Sequence, residues 1–181
     1  MAARVLFTYE DLLQTPDDGK RYEIVDGEML VSPSPFPRHQ RAQMRLIQFL
    51  TKADEGGYGQ LWAAPLDIVF DEHNVTEPDL LFIRRDRLFI VGDKNVQGPP
   101  DLLVEILSES TAHRDLGVKL RAYEKFGVPY YWVVDPVAQI VRLFELQGDG
   151  KYGKARLIEG DDLLSCSLFP EFTMPVAGIF A

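Results

Sequence analysis

The sequence has little cysteine and no long apolar run, and both shortages narrow the classes of protein to which it can belong. Its 181 residues include one cysteine, Cys166, which excludes an internal disulfide framework and a zinc cluster built on cysteines. No stretch approaches the roughly 18 apolar residues of a membrane span, and Met1–Glu10 lacks the apolar core of a signal peptide. We therefore expect a cytoplasmic protein without membrane contact, in which Cys166 is a small core or edge residue.

The chain also lacks an excess of positive charge. Its 19 Lys and Arg residues are outnumbered by 28 Asp and Glu residues, which gives a net charge of -9. This counts against general affinity for nucleic acids, because phosphate binding needs clustered basic residues. One basic segment, residues 34–53, has no Asp or Glu and contains Arg38, His39, Arg41, Arg45 and Lys52. On charge alone we favour a solvated helix face over a phosphate-binding surface.

What the chain does have is an ordinary globular composition, with 46% hydrophobic and 26% charged residues. Its length fits one domain, so we predict a single domain over 1–181. Thr8 with Asp11 three residues later predicts a short capped helix. Asp26-Gly27 lies between the strand-like runs Arg21–Val25 and Glu28–Val31, which predicts an N-terminal hairpin.

The middle of the chain predicts one long helix and two strands. Apolar residues recur at helical spacing over Arg38–Lys52. Leu61–Phe70 and Asp79–Ile83 are strand-like and are joined by a polar turn around His73-Asn74. Residues 84–98 are charged and contain glycine, so we expect them at the surface.

The second half of the chain predicts a parallel crossover. Leu102–Leu107 is apolar apart from Glu105, which is typical of a strand buried on both faces. A helix over 111–126 and a strand at Tyr130–Val134 follow, and strand, helix and strand together indicate a βαβ unit. Ile140–Leu146 then pairs as a hairpin. The chain is therefore predicted to be an α/β protein with a mixed sheet flanked by helices and with strands at its C-terminus.

Two acidic residues lie where strands are expected. Glu105 interrupts an apolar strand, and a buried carboxylate needs a cation, a hydrogen-bond network or a proton. Asp79 opens the apolar run Leu80–Ile83, which on its own is ordinary for a strand start. These positions make Asp79 and Glu105 candidates for one site.

Lys119 is the third candidate. The apolar stripe of the 111–126 helix consists of Leu116, Leu120, Tyr123 and Phe126. At about 100° per residue, Lys119 projects within that stripe and toward the sheet. Asp115 lies one turn earlier at the edge of the stripe. A surface Asp–Lys pair is the alternative explanation.

A divalent cation such as Mg²⁺ accounts for these three residues, because it prefers oxygen ligands and one or two carboxylates. Such a metal polarises a phosphate and lowers the pKa of bound water. A buried structural network of ion pairs accounts for them equally well from spacing alone.

Several motifs together resemble a known family. They are Tyr22-Glu23-Ile24-Val25-Asp26-Gly27-Glu28, His39, Glu77-Pro78-Asp79-Leu80-Leu81, Pro99-Pro100-Asp101-Leu102-Leu103-Val104-Glu105-Ile106-Leu107-Ser108, the spaced Asp115, Lys119 and Tyr123, and Gly127-Val128 with Tyr131-Trp132-Val133-Val134-Asp135-Pro136. In these the chain is similar, over about residues 8–146, to a large bacterial family of restriction-endonuclease-like proteins abundant in cyanobacteria. That family belongs to the PD-(D/E)XK nuclease superfamily.

The resemblance implies a restriction-endonuclease-like fold and a nuclease that uses Mg²⁺ or Mn²⁺ to cut DNA, with no organic cofactor. Asp79, Glu105 and the backbone carbonyl of Ile106 would bind the metal. Lys119 would assist the attacking water, and Glu23 would complete the catalytic set. For Glu23 the alternative is an exposed position on a hairpin strand.

The resemblance also contains departures from the superfamily pattern. The superfamily has a lysine two residues after the second acid, where this chain has Leu107, so the lysine would come from the following helix. Family members often carry Glu where this chain has Tyr130, which would affect surface or substrate contacts. Homodimerisation is implied by small relatives. His39 would touch phosphate, or would have a capping or packing role.

Other candidates are weaker. His73 and His113 have no partners at metal-ligand spacing and are predicted to be surface residues, while Trp62 and Trp132 are predicted in the core or an interface. An alternative function for the whole fold is a non-catalytic module that binds nucleic acid or protein, and the acidic net charge favours it because steering toward DNA would be poor.

Overall fold

The structure is a computed structural model and describes residues 5–181. Its elements in chain order are helix α1 (Tyr9–Leu12), strands β1 (Arg21–Val25) and β2 (Glu28–Ser32), helix α2 (Pro37–Glu55), strands β3 (Gly59–Ala63), β4 (Ile68–Asp71), β5 (Asn74–Thr76) and β6 (Leu80–Arg84), a 3-10 helix (Arg85–Ile90), strands β7 (Val96–Gln97) and β8 (Leu102–Ile106), helix α3 (Ala112–Arg114), a π-helical turn (Asp115–Lys119), helix α4 (Leu120–Lys125), strands β9 (Tyr130–Asp135), β10 (Ile140–Glu145), β11 (Arg156–Glu159), β12 (Leu163–Leu164) and β13 (Met174–Pro175), and helix α5 (Ala177–Phe180). Within residues 5–181, no helix has both the length and the apolar character that a membrane span requires.

A six-stranded sheet forms the centre of the molecule, in the order β11-β10-β9-β8-β6-β3. Strands β8 and β9 run parallel and are joined by the helical crossover, as the βαβ pattern predicts. The other neighbouring strands of this sheet are antiparallel. The predicted α/β class with a mixed sheet is therefore confirmed.

The two faces of this sheet pack against different helices, because successive side chains of a strand point to opposite sides. Leu80 and Val104 pack with α2 on one face. Leu81 and Leu103 pack on the other face with Tyr123 of α4. Alternation along β8 places Glu105 on the second face, toward the crossover helix.

The predicted N-terminal hairpin is present, but it lies in a second sheet. Asp26 and Gly27 both have positive φ, at 48° and 75°, which suits the two central residues of a type I′ turn. The hairpin strands β1 and β2 join a five-stranded sheet in the order β2-β1-β5-β4-β7. Division of the strands between two sheets did not follow from the sequence.

The run Leu61–Phe70, predicted as one strand, forms two strands in different sheets. Strand β3 pairs with β6, and β4 pairs with β5. Pro65 lies in the break, where its missing N–H cannot continue a ladder. The excursion at 84–98 also contains more structure than expected, since its Val96 is buried in β7.

The predicted helix over 111–126 is interrupted by the π-helical turn Asp115–Lys119. Helix α2, by contrast, agrees closely with the predicted Arg38–Lys52. The short helix α1 carries the predicted capping box between Thr8 and Asp11. At the other end of the chain, Ile179 of α5 is buried in the core beside α2.

Candidate active site

A cluster of buried charges lies between the end of β8 and the π-helical turn. Glu105 of β8 is 3% exposed, although its strand is otherwise apolar. The Nζ atom of Lys119 lies 2.8 Å from Glu105 Oε1. The Tyr123 hydroxyl donates to the same oxygen at 2.9 Å. The carboxylate that the sequence singled out therefore has two donors from the crossover helix.

Lys119 contacts three carboxylates. Besides Glu105, its Nζ lies 2.7 Å from Glu23 Oε1 on β1 and 3.6 Å from Asp115 Oδ1. Lys119 is 3% exposed, in agreement with its predicted place in the apolar stripe. The interaction joins both sheets, because Glu23 belongs to the five-stranded sheet and Glu105 to the six-stranded one.

Asp79 lies directly before β6 and at the same end of the sheet. The β6–β8 register pairs Leu80 with Val104, so its continuation sets Asp79 opposite Glu105 and on the same face. Asp79 Oδ2 accepts hydrogen bonds from the Ile106 N–H at 2.7 Å and from His39 Nε2 at 3.0 Å. Asp79 is 1% exposed.

Arg21 of β1 completes the surroundings of Asp79. Its Nη1 donates to Asp79 Oδ1 at 3.0 Å, and its Nε lies 2.9 Å from Glu77 Oε1. Glu77 in turn donates its backbone N–H to Glu23 Oε1 at 2.9 Å. These contacts connect the strand that carries Glu23 to the turn that carries Asp79.

The pKa values of the two predicted metal ligands are shifted in opposite directions. Burial raises the pKa of Asp79, but the hydrogen bond and charge of His39 and the charge of Arg21 outweigh it and hold the pKa below its usual value. Desolvation raises the pKa of Glu105 well above its usual value. Lys119 opposes that rise, while neighbouring acids, Asp115 first, add to it.

Burial and neighbouring charges also shift the pKa values of Asp115 and Lys119. Desolvation raises the pKa of Asp115, against the effect of Lys119 and together with the charge of Glu23. Burial would lower the pKa of Lys119, but the charges of Glu105, Glu23 and Asp115 hold it well above its usual value. The lysine is therefore an ammonium ion among acids.

The structure brings together the four side chains that were named as catalytic candidates, Glu23, Asp79, Glu105 and Lys119. Glu23 is 2% exposed, so it does not take the exposed hairpin position that was its alternative. The Ile106 N–H is used by Asp79, and the proposed metal contact of the Ile106 carbonyl stays a prediction.

Three residues of the cluster were missed or undervalued by the sequence reasoning. Arg21 was not considered, although it shares a strand face with Glu23 through the period of two. Asp115 was placed at the edge of the stripe but is 2% exposed. His39 was given a phosphate, capping or packing role, whereas it is 6% exposed and bonded to Asp79.

The weaker candidates lie elsewhere. Cys166 is buried in the core, one of the two positions predicted for it, and burial raises its pKa to about 12. His113 is exposed, and His73 Nδ1 lies 2.8 Å from the Phe7 carbonyl oxygen. Trp132 is 1% exposed and belongs to the core.

The donor chemistry of the cluster fits a hard divalent cation. Four buried carboxylates, those of Glu23, Asp79, Glu105 and Asp115, accompany the cations Lys119 and Arg21. Oxygen ligands of this kind are those that Mg²⁺ and Mn²⁺ prefer. The spacing is not that of a preformed metal site: among residues 5–181, no three Asp, Glu, His or Cys side chains are arranged to hold a metal ion, and the Lys119 Nζ lies within 2.8 Å of both Glu23 and Glu105.

A narrow cleft gives access to this cluster. Its walls are residues 32–36 together with Ser108, Ser110 and Thr111, and four charged side chains also line it, those of Glu23, Glu105, Asp115 and Lys119. The cavity volume is about 40 Å³, which is room for a few water molecules. The acids therefore lie below the surface but within reach of solvent.

Comparisons with known proteins agree on family and fold. The family model of Uma2, described as "Putative restriction endonuclease", matches residues 9–177. A solved structure from Anabaena variabilis, titled as a putative nuclease belonging to DUF820, superposes with a TM-score of 0.80 at 20% identity, over 96% of this chain and 97% of that one. A search of curated proteins found no match. The structural likeness confirms the restriction-endonuclease-like fold that the sequence predicted.

Proposed function

We propose, on the premise that this chain belongs to the Uma2 family of restriction-endonuclease-like proteins, that it is a nuclease which uses a divalent metal to hydrolyse DNA phosphodiester bonds. The observation that carries this proposal is the buried cluster at the cleft. Carboxylates outnumber fixed cations there, and burying such a surplus is costly unless a cation or protons offset it. A site for Mg²⁺ or Mn²⁺ explains why the acids are concentrated at this point.

Asp79, Glu105 and the Ile106 carbonyl would hold the metal, with Glu23 close by. When bound, the metal would polarise the phosphate and lower the pKa of a water molecule. Asp115 would remain paired with the Lys119 ammonium. Arg21 and His39 would act as positioning residues, because their hydrogen bonds fix the direction of the Asp79 carboxylate.

Lys119 would act as a donor and not as a base. Its Nζ lies 2.8 Å from Glu105 Oε1 and 2.7 Å from Glu23 Oε1, and the charges of these acids favour the ammonium form, which has no lone pair with which to accept a proton from water. An ammonium beside the reacting phosphate would instead hold an oxygen atom and offset the charge that builds during attack. This makes specific the assistance to the attacking water that the family resemblance implies for Lys119.

The test is DNA cleavage with and without Mg²⁺ or Mn²⁺, on plasmid, single-stranded and branched substrates. We expect cleavage that requires metal and is lost in Asp79→Ala and Lys119→Ala. Calorimetry should give metal binding that Asp79→Ala abolishes. Gel filtration of the same preparations tests the homodimer that the resemblance implies. Failure to cut any of these substrates with either metal would remove the proposal.

A second candidate is a non-catalytic binding module, and one observation favours it. The Lys119 ammonium already occupies the centre of the acids, at hydrogen-bond distance from two of them. Such a network can fix how two sheets meet without any metal. Calorimetry separates the candidates, because this module would show no metal binding at the cluster.

A further inference from the structure

The rim of the cleft carries a large exposed aromatic side chain. Phe36 is 54% exposed and lines the cleft that leads to Glu105 and Lys119. The Arg38 guanidinium lies over one face of its ring, 5.8 Å from the ring centre, so a base would stack on the opposite face. An aromatic face beside an arginine is the arrangement on which proteins stack the bases of single-stranded nucleic acids. We call this pair the Phe36–Arg38 rim.

The start of α2 adds partial positive charge for a phosphate next to that aromatic face. Phe36 is the N-cap residue of this 19-residue helix, and among residues 5–181 no side chain caps it. Pro37 has no N–H, and the His39 N–H donates to the Phe36 carbonyl oxygen at 3.0 Å, so it is mainly the partial positive charge of the helix start that favours a phosphate here. No acidic residue lies in the first turn, so nothing on the helix opposes an anion there.

A second observation at the cleft is the unpartnered ring nitrogen of His39. It is 6% exposed and lines the cleft. Its Nε2 is engaged by Asp79, while its buried Nδ1 has no hydrogen-bond partner in the described part of the chain. Buried polar atoms are nearly always partnered, so an unpartnered ring nitrogen on a side chain that lines the cleft marks a polar position beside the proposed ligand.

The shape and charge of the molecule favour the binding of single-stranded DNA over duplex DNA. The acids at the base of the cleft are at most 3% exposed, so the reacting backbone has to bend inward to reach them. A duplex is stiff over about 150 base pairs, whereas an unpaired strand bends freely. The net charge of -9 opposes the binding of DNA, and it opposes a duplex more, because a duplex carries twice the phosphate charge of one strand per unit length.

We propose that the Phe36–Arg38 rim binds an unpaired strand of DNA, with one base stacked on Phe36 and the adjoining phosphate on Arg38 and the start of α2. The inference rests on the proposed function and narrows its substrate to single-stranded or locally unpaired DNA. The salt bridge of Arg38 to Glu109 at 3.3 Å is between exposed groups, so a phosphate can replace Glu109 at little cost.

The test measures binding separately from cleavage. Fluorescence anisotropy in EDTA compares a labelled oligothymidylate with a duplex of the same length. We expect the single strand to bind at least about tenfold more tightly, and Phe36→Ala to weaken it about tenfold without changing duplex binding. Phe36→Trp should restore the affinity. Arg38→Ala should lower the slope of log Kd against log salt by about 0.7.

Two variants elsewhere on the surface are matched controls. Phe89 is 81% exposed and lies outside the cleft lining, so Phe89→Ala should leave affinity unchanged. Arg84 is 49% exposed and is paired with Asp86, as Arg38 is paired with Glu109. Arg84→Ala should therefore leave the salt slope unchanged.

Several outcomes would overturn the inference: equal binding of both DNA forms, equal losses in Phe36→Ala and Phe89→Ala, or tighter binding of oligouridylate than of oligothymidylate. Tight single-strand binding that depends on Phe36 supports the rim even if no DNA is cut, in which case the proposed nuclease activity alone fails. Metal-dependent cleavage with no effect of Phe36→Ala on binding supports the nuclease and overturns the rim.

Discussion

Asp79 and Glu105 are both carboxylates buried at one end of adjacent strands, but their surroundings differ. Asp79 accepts hydrogen bonds from Arg21, His39 and the Ile106 N–H. Glu105 has Lys119 and Tyr123 as donors, and it shares the ammonium with two further acids. The Asp79 side is thus saturated with donors, whereas the Glu105 side holds the excess of negative charge.

This difference indicates which side responds to an added cation. A carboxylate with enough donors stays ionised and fixed, so Asp79 needs no added cation to hold its charge. The acids around Glu105 have raised pKa values because their charges are close together and desolvated. A divalent ion would relieve that repulsion, and would compete there with the Lys119 ammonium.

Removal of the ammonium is expected to have the largest effect. Lys119→Met leaves three buried acids without their cation, which should cost about 3–5 kcal/mol of unfolding free energy at neutral pH. This loss of stability should shrink in acid. A carboxyl whose pKa is raised in the folded state destabilises the protein as the pH rises above the pKa that the group has in the unfolded state. Mn²⁺ should restore part of the lost stability. Urea unfolding with and without Mn²⁺ measures both effects.

Lys125→Met is the matched control for that experiment. Lys125 lies on the same helical segment and pairs with Asp26 at 3.2 Å, but both side chains are exposed. Its replacement should change stability by no more than a few tenths of a kcal/mol. Two results would contradict the description of the Glu105 side as the one with excess negative charge. One is an equal loss of unfolding free energy in Lys119→Met and Lys125→Met. The other is an equal effect of Mn²⁺ on wild type and both variants.

The next largest effect concerns the other carboxylate. Asp79→Asn should weaken the hydrogen bonds from Arg21 and His39 and cost about 2–3 kcal/mol, and it should reduce cleavage at least about 100-fold. Because the folded pKa of Asp79 is lowered, its stabilisation is present above its unfolded pKa of about 3.9 and is lost as pH falls through the lower folded value. The difference from wild type should therefore vanish in strong acid.

Asp101→Asn separates stability from chemistry in this comparison. Asp101 is 2% exposed and accepts from Arg87 Nη1 at 2.8 Å and from the Arg84 N–H at 2.9 Å, whereas Asp79 accepts from Ile106 next to Glu105. Its variant should lose similar stability but keep metal binding and cleavage. Equal losses of cleavage in both variants would mean that Asp79 acts only through the stability of the fold.

Replacement of Glu77 is expected to have the smallest effect, which is on the pH dependence of Tm. Burial raises its pKa to about 7, although Arg21 opposes the rise. A carboxyl with a raised folded pKa destabilises the protein as pH increases from its unfolded value to the folded one, here from 4.5 to about 7. Glu77→Gln should flatten the decline of Tm over that window. Glu109→Gln, at an exposed acid, should leave the decline as it is in wild type.

The elements that frame the site follow from local sequence patterns. Continuous apolar residues around Glu105 predicted the buried strand, and the helical stripe predicted the inward position of Lys119. Asp26-Gly27 predicted the hairpin that carries Glu23. These signals are short in range, because periodicity and turn chemistry depend on residues close together in the chain.

The partners of Asp79 could not be predicted in this way. Arg21 and His39 are 58 and 40 residues from Asp79 in sequence, and which side chain fills a buried acceptor depends on how separate elements pack. The division into two sheets has the same origin, since strand pairing is non-local. Pro65 was a local signal that the run Leu61–Phe70 breaks, and it was not used.

The π-helical turn has a consequence for how the site depends on chain length. A π turn holds one residue more than an α turn, and Gly117 within it faces open space among the described residues. Rewinding of these five residues as an ordinary α-helix would rotate the segment before the turn by about 100° relative to the segment after it. The same residues would still be encoded, but α3 and α4 could no longer both keep their present faces toward the sheet. The extra residue of this turn thus sets how the two halves of the crossover helix are oriented over Glu105.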